Sequence, residues 1–171
     1  MKLKNWIAAS LLSLAITASV PCFAQITESD LSIAGVYFGQ NFSEVKAVYG
    51  NPVKSRKVIG SGVMEYSFAS NGTRFDVTTD SKSITVRGVV VSGNNGLATK
   101  AGIKVGMSMN RVIELYGQPD STHEYKREDG SPGISIVYKI PPAGLSGKLL
   151  GFTFDSAKTV TSIGFRQFFN D

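Results

Sequence analysis

The chain contains one motif twice, and this motif decides the predicted fold. The first copy, Gly35 to Pro52, is GVYFGQNFSEVKAVYGNP; the second, Gly102 to Pro119, is GIKVGMSMNRVIELYGQP. The aligned identities include glycines and a closing proline, which specify backbone geometry rather than bulk composition. A repeat of this spacing indicates duplication of a whole unit of helix and strands.

Each copy predicts one short helix of about two turns. Asn41 and Ser108 stand at the N-cap positions, where a side-chain oxygen accepts a free backbone N–H. Glu44 stands where a capping-box partner belongs, whereas the second copy has Arg111 there. Apolar residues at helical spacing are expected to face the sheet: Phe42, Val45, Val48 and Tyr49, then Met109, Val112, Ile113 and Tyr116.

The end of each helix is also predicted. Gly50 and Gly117 stand where a glycine in the left-handed conformation commonly stops a helix. Pro52 and Pro119 follow two residues later and prevent propagation.

Alternation of apolar and polar residues after each helix predicts antiparallel strands with one buried face. A helix of two turns is unstable alone, so it must pack on this sheet. We therefore expect an α+β fold of two tandem repeats, residues 25–95 and 96–171, each a short helix packed on a roughly four-stranded antiparallel sheet. Whether the repeats share one sheet stays open. The predicted strands lie near residues 56–59, 63–68, 74–79 and 84–91, then 122–127, 134–139, 149–154 and 160–168.

Residues 1–24 have the layout of a secretory signal peptide. A basic start precedes an apolar run, and small residues at Cys22 and Ala24 suit a cleavage site near Ala24. We therefore expect a periplasmic or secreted protein without a stable membrane anchor. Two alternatives are a transmembrane anchor, for which the run is shorter than the ~20 residues required, and lipid attachment at Cys22, which Val20 and Pro21 suit poorly.

Cysteine content and charge exclude several classes of function. Cleavage would remove Cys22, the only cysteine, and with it any disulfide or thiol chemistry. The formal net charge of +5 includes Lys2 and Lys4, so residues 25–171 carry +3. The charges of both signs are interspersed rather than gathered along one stripe, so nucleic acid is not an expected partner.

The sequence contains no recognisable catalytic constellation. His123 is the only histidine; with nearby carboxylates it could bind a metal or act as a base, but no positioned partner is evident. Residues 141–148, PPAGLSGK, lack the first glycine and the final Ser or Thr of a phosphate loop. That segment is either a plain insertion or a contact loop. We expect no metal and no cofactor.

The face of the sheet away from the helices is the predicted contact surface. Its charged residues form either cross-strand ion pairs on a solvated surface or a polar platform for another protein. Two adjacent phenylalanines near the end of the chain cannot face the same side of a strand, so one is tucked under a neighbour or exposed. The candidate partner contacts are Glu65, Arg74, Asp76, Arg87, Lys139, Leu145, Phe168 and Phe169.

The motif G-x-x-x-G, followed by V-x-x-x-Y-G-x-P and several strands, resembles the superfamily of β-lactamase-inhibitor-like proteins. That superfamily includes small outer-membrane assembly lipoproteins and secreted bacterial domains of unknown role. The resemblance covers nearly all of residues 25–171, in two copies, and implies a structural frame rather than catalytic residues. The lipid-attachment cysteine context of those lipoproteins is missing here, so the resemblance by itself does not imply outer-membrane anchoring.

Three hypotheses of function follow. The first is an exported, non-enzymatic module that binds another protein. The second is an inhibitor of a secreted hydrolase such as a β-lactamase or a protease. The third is an enzyme whose site lies between the repeats, with His123 or a carboxylate pair at the seam. The sequence favours the first, because it offers a duplicated frame and no catalytic pairing.

Overall fold

The structure, a computed structural model, describes residues 26–58, 62–70, 72–140 and 146–169. The predicted signal peptide with Cys22, and the candidate contact Leu145, lie outside these residues. No helix in the described ranges is long and apolar enough to cross a membrane. The elements are β1 (Ser32–Ile33), β2 (Val36–Tyr37), α1 (Phe42–Tyr49), β3 (Lys54–Val58), β4 (Val63–Ser70), β5 (Thr73–Thr79), β6 (Val86–Ser92), α2 (Met109–Tyr116), β7 (Ser121–Lys126), β8 (Pro132–Ile140), β9 (Ser146–Phe154) and β10 (Val160–Phe169).

One antiparallel sheet of eight strands forms the centre of the fold, in the order β3-β4-β5-β6-β10-β9-β8-β7. The four strands after α1 and the four strands after α2 meet where β6 pairs with β10. In that pairing Val89 lies opposite Phe165, and Val91 lies opposite Ile163. The α+β class is confirmed, and the question of one sheet or two is answered by a single continuous sheet.

The helix starts match the prediction. Asn41 Oδ1 accepts a hydrogen bond from Ser43 N at 2.9 Å, and Ser108 Oγ accepts one from Arg111 N at 3.3 Å. The capping-box interpretation of Glu44 is wrong. Its carboxylate accepts from Gln40 Nε2 at 3.4 Å instead, because the glutamine amide comes within reach one turn earlier.

The helix ends match in part. Gly50 and Gly117 both have φ 79° and ψ −164°, so φ is positive as predicted, but ψ is extended rather than left-handed. This combination of angles is essentially restricted to glycine. The backbone N–H groups of the two glycines donate to Lys46 O and Ile113 O.

Val48 was expected in the buried stripe of α1, and this is wrong, because its side chain is 74% exposed. Phe42 and Val45 are buried and Tyr49 packs against the core, so these three define the inner side of the helix. Val48 precedes Tyr49 by one residue and therefore lies about 100° around the helix axis from it.

Both helices lie on the same face of the sheet. Phe42 packs on Tyr66 with ring centroids 4.4 Å apart, and Tyr49 packs on Phe75 at 4.7 Å. Tyr116 occupies the corresponding place in α2, 5.6 Å from the rings of Tyr138 and Phe152. Segments from before each helix complete a single buried cluster with Leu31, Ile33, Val36 and Ile103. The core therefore occupies one side of the sheet from β4 to β8, and the edge strands β3 and β7 contribute no buried residue to it.

Candidate functional site

The opposite side of the sheet is open to solvent in the described part of the chain. Successive residues of a strand point to opposite faces, so the neighbours of the buried residues face away from α1 and α2. Val90, between the fully buried Val89 and Val91, is 41% exposed. We call this surface the open face. Its principal residues are Lys54, Arg56, Glu65, Arg74, Asp76, Val90, Lys139, Gly151, Ser162, Gly164 and Arg166.

The centre of the open face is built from small residues. Gly151 on β9 pairs directly with Gly164 on β10. Ser162, nearby on β10, pairs with Thr153 on one side and Ser92 on the other, and Ser92 Oγ donates to Ser162 Oγ at 3.3 Å. Because these side chains are short, a partner can approach the sheet backbone closely.

The glycines of the sheet differ in how much room surrounds them. A Cβ on Gly88 would lie 2.5 Å from Thr78 Oγ1 and 2.8 Å from Phe165 O, so this position is closed. A Cβ on Gly151 would have its nearest atom, Ile136 O, at 3.7 Å, which is an ordinary contact. Gly151 is therefore the place where a side chain can be added to the open face without displacing the core.

Two aromatic rings of the open face cover glycines on neighbouring strands. Phe168 is opposite Gly147, and its ring occupies the space above that glycine. Tyr125 covers Gly133 in the same way, with its ring Cζ 2.7 Å from the Cβ position. Phe168 is thus half-buried against the sheet, which matches the tucked alternative. Phe169 pairs with Ser146, and its side chain lies outside the described part.

Four of the predicted contact residues lie on the open face, as the alternation predicts: Glu65, Arg74, Asp76 and Lys139. Whether they contact a partner stays a prediction. Arg166, which follows the buried Phe165 and is exposed, also lies on this face and was not among the predicted contacts. The alternation in β10 could have identified it.

The predicted orientation of Arg87 is wrong. Thr78 pairs with Gly88 and Thr79 pairs with Val86, so Arg87 is the extra residue of a β-bulge. Its guanidinium lies 5.8 Å from the centroid of Phe38, and its Nη1 donates to Gln167 Oε1 at 3.2 Å. The bulge turns Arg87 towards the β1–β2 side. Glycine inside a strand often marks a bulge, so Gly88 was the available signal.

The charges of the open face are mostly unpaired. Arg56 Nη2 lies 2.8 Å from Glu65 Oε1, which is one cross-strand ion pair. Arg74, Lys139 and Arg166 form no ion pair with any residue that the structure describes. The interpretation of these charges as a set of cross-strand pairs therefore holds for Arg56 and Glu65 alone.

Titratable groups at the β7 edge of the open face and in the core have structural surroundings. His123 is exposed on the edge strand β7, and the described residues hold no group of three or more His, Cys, Asp and Glu suited to a metal ion. Asp129, in a shallow cleft beside Tyr125 and Arg127, has its pKa lowered chiefly by hydrogen bonds from Ser131. Burial raises the pKa of Tyr138 to about 12, and its hydroxyl donates to Gly117 O at 2.9 Å.

No protein-family model matches the chain, and no curated protein matches it. Its fold is similar to that of a cysteine-rich secretory protein from Staphylococcus aureus, with TM-score 0.55 and 14% identity over 81% of this chain and 46% of that one. The chain thus spans about half of the staphylococcal protein, and at this identity the likeness shows a shared fold alone.

Two weaker structural neighbours were found. One is a candidate β-lactamase inhibitor protein from Streptococcus mutans, with TM-score 0.31 and 16% identity over 74% of this chain and 82% of that one. The other is a DUF4309 family protein from Bacillus subtilis, with TM-score 0.43 and 15% identity over 74% of this chain and 78% of that one. Both TM-scores are too low to support an argument about this chain.

Proposed function

We propose that this protein is an exported, non-enzymatic module that binds another protein on its open face. The observation that carries the proposal is the division of the sheet into two unlike sides. One side holds the whole core, whereas the other presents a small-residue centre at Gly151 and Gly164, surrounded by unpaired charges at Arg74, Lys139 and Arg166.

The dimensions of the open face suit a protein partner. Eight strands spaced ~4.8 Å apart span roughly 34 Å, and seven residues at ~3.3 Å each span roughly 23 Å. The resulting area of roughly 800 Å² equals the area that one partner contributes to a standard protein–protein interface. Small-molecule sites are instead enclosed and apolar, and this face is neither.

We also propose that the frame arose by duplication of one unit. Each half has a helix of eight residues followed by four antiparallel strands, and both helices end at a glycine with the same φ and ψ. In both halves the residue that caps the helix also forms an isolated β-bridge with a threonine beside the last strand. These bridges join Asn41 with Thr85 and Ser108 with Thr159. Duplication followed by fusion through β6 and β10 would produce a wide sheet from two narrow ones.

Export is supported by the leader-like start of the sequence and by the secretory staphylococcal protein that shares the fold. The motif resemblance to β-lactamase-inhibitor-like proteins supports binding over catalysis. Neither feature identifies the partner, so the test must locate the surface first.

The surface can be tested with two substitutions to the same residue on opposite sides of the molecule. Gly151→Gln places a side chain on the open face, where there is room for its Cβ, and Val48→Gln alters an exposed position on α1. Envelope and secreted proteins of the native organism are captured on the wild-type protein and on both variants, and identified by mass spectrometry.

We expect a partner that the wild type and Val48→Gln retain and Gly151→Gln loses. Circular dichroism of both variants checks that the fold is unchanged. Capture of the same proteins by all three forms, or capture by none, would remove the open face as the binding surface.

A further inference from the structure

We propose that the partner presents an acidic protein segment to the open face, and that Arg166, Lys139 and Arg74 receive its carboxylates. This inference rests on the proposed function, because it names the chemistry of the partner at that same surface. It follows from where the charges lie and from which of them are unpaired.

Basic side chains outnumber acidic ones on the open face. Its strands carry the acidic residues Glu65 and Asp76. Their basic residues are Lys54, Arg56, Arg74, Lys139 and Arg166. The cleft beside Tyr125 adds Arg127, Glu128 and Asp129. Six basic and four acidic side chains give +2, so the open face is basic.

Two of the cations share one row across the sheet. Lys139 on β8 pairs with Leu149 on β9, and Leu149 pairs with Arg166 on β10. The two Cα atoms are thus two strands apart, or about 10 Å, the length of three residues in an extended chain. Both side chains are exposed, and the half-buried Leu149 lies between them. A partner segment that presents two carboxylates on either side of an apolar side chain, all on one face, would match this row.

The nearby acidic groups do not neutralise these cations. Asp120 directly precedes β7, the strand that pairs with the strand of Lys139. Its Oδ2 accepts a hydrogen bond from the backbone N–H of Lys139 at 2.5 Å rather than binding the ammonium group. Glu65 is held by Arg56. Asp76 forms no ion pair with any described residue. Arg166, Lys139 and Arg74 therefore remain available to a partner.

A protein segment fits this surface better than a polyanion such as a nucleic acid. Duplex DNA presents one negative charge per ~1.7 Å, and such a density would also meet the carboxylates of Glu65 and Asp76. Here the cations are widely spaced around half-exposed apolar side chains at Val90 and Leu149. Apolar contacts within a polar rim are typical of protein interfaces.

The test uses a random twelve-residue peptide library displayed on phage. The library is selected on the full chain, expressed with its own N-terminal segment, in 0.1 M salt. Synthetic copies of the enriched peptides are then titrated against the wild type, Arg166→Gln, Lys139→Gln and the double variant. Lys104→Gln is the matched control, because Lys104 is an exposed lysine on the segment before α2. Gly151→Gln reports whether the peptides use the open face.

We expect enriched peptides to be acidic and to lose binding to Gly151→Gln. Each single variant should weaken binding between about two- and fivefold, whereas Lys104→Gln should leave it unchanged. The effect of the variants should disappear at 1 M salt, where the screening length falls to ~3 Å.

The other outcomes overturn the inference in distinguishable ways. Neutral or basic peptides that Gly151→Gln still abolishes would refute the acidic partner and leave the proposed function standing. Peptides that bind Gly151→Gln as tightly as the wild type would refute both. A library without enrichment would refute the acidic segment, as would a DNA duplex that competes more tightly than the peptides.

Discussion

At the scale of the residue, the ends of the two helices depend on glycine. Gly50 and Gly117 share φ 79° and ψ −164°, and among the described residues no heavy atom beyond the adjacent residues lies within 4 Å of a Cβ built on Gly50. A side chain at Gly50 would therefore strain the backbone without any clash. We expect Gly50→Ala to lower the free energy of unfolding by about 1–3 kcal/mol in urea denaturation.

Gly151→Ala is the matched control for this substitution. Gly151 lies in a strand, and its added Cβ would make only ordinary contacts. We expect a change below about 0.5 kcal/mol. Equal losses in the two variants would show that the conformation at Gly50 is not what makes glycine necessary.

The buried hydroxyl of Tyr138 gives a prediction about alkaline pH. Burial, together with the nearby Tyr116 and Asp120, raises the pKa of Tyr138 to about 12. An unfolded tyrosine titrates near pH ~10, so the neutral hydroxyl stabilises the fold below that pH, and this contribution is lost as pH rises towards 12. We expect the free energy of unfolding to fall across this window, and to fall less steeply in Tyr138→Phe.

At neutral pH the same variant should cost about 1 kcal/mol, because Gly117 O loses its donor. Tyr125→Phe, which removes a hydroxyl from an exposed ring on the open face, is the control and should leave the stability at neutral pH unchanged. The free energy of unfolding of each variant is measured by urea denaturation at several pH values. A wild-type slope in Tyr138→Phe would mean that another group causes the alkaline loss.

At the scale of the element, each helix depends on its cap and on the sheet beneath it. A helix of eight residues is unstable alone in water. We expect Asn41→Ala and Ser108→Ala each to cost about 1 kcal/mol, because each leaves a backbone N–H of the first turn without its acceptor. Thermal unfolding followed by circular dichroism measures both.

Asn110→Ala, at an exposed position inside α2, is the control for the caps. Alanine is the better helix former there, so the melting temperature should stay or rise. If the two cap variants were as stable as Asn110→Ala, the cap hydrogen bonds would not stabilise the helices, and packing on the sheet alone would determine where they begin.

The elements could be predicted from the sequence because their signals are local. The cap at Asn41, the stop at Gly50 and the alternation in each strand all act within a few residues. Val48 and Arg87 were placed wrongly for a different reason. The exposure of Val48 depends on how the helix rotates on the sheet, and the orientation of Arg87 depends on a bulge at the pairing of β5 with β6.

At the scale of the whole molecule, the pairing of β6 with β10 had no local signal. It joins strands that are far apart in the sequence, and it decides that two sets of four strands form one sheet. The candidate site was predictable only in part, because it depends both on local alternation and on which strands are neighbours. Alternation placed Arg74 and Lys139 on the open face, but their lack of ion-pair partners depends on which strands are neighbours.

A single sheet and a single core predict one cooperative unfolding transition. Gly88 lies at the seam, where an added Cβ would press on Phe165 O of the other half. We expect Gly88→Ala to cost about 1–3 kcal/mol and to lower one shared transition, seen equally by far-UV circular dichroism and by tyrosine absorption. Two separate transitions, with only one of them shifted, would mean that the halves fold independently.

The open face as a protein-binding surface is tested most directly by site-specific crosslinking. Cys22 is the only natural cysteine and lies in the predicted leader, so Gly151→Cys and Val48→Cys each give residues 25–171, the chain expected after cleavage, one attachment point. Each variant carries the same photoreactive group and is irradiated with secreted and envelope proteins of the native organism. We expect a defined crosslinked partner at position 151 and none at position 48. A crosslink at position 48 alone, or the same products at both positions, would contradict this expectation.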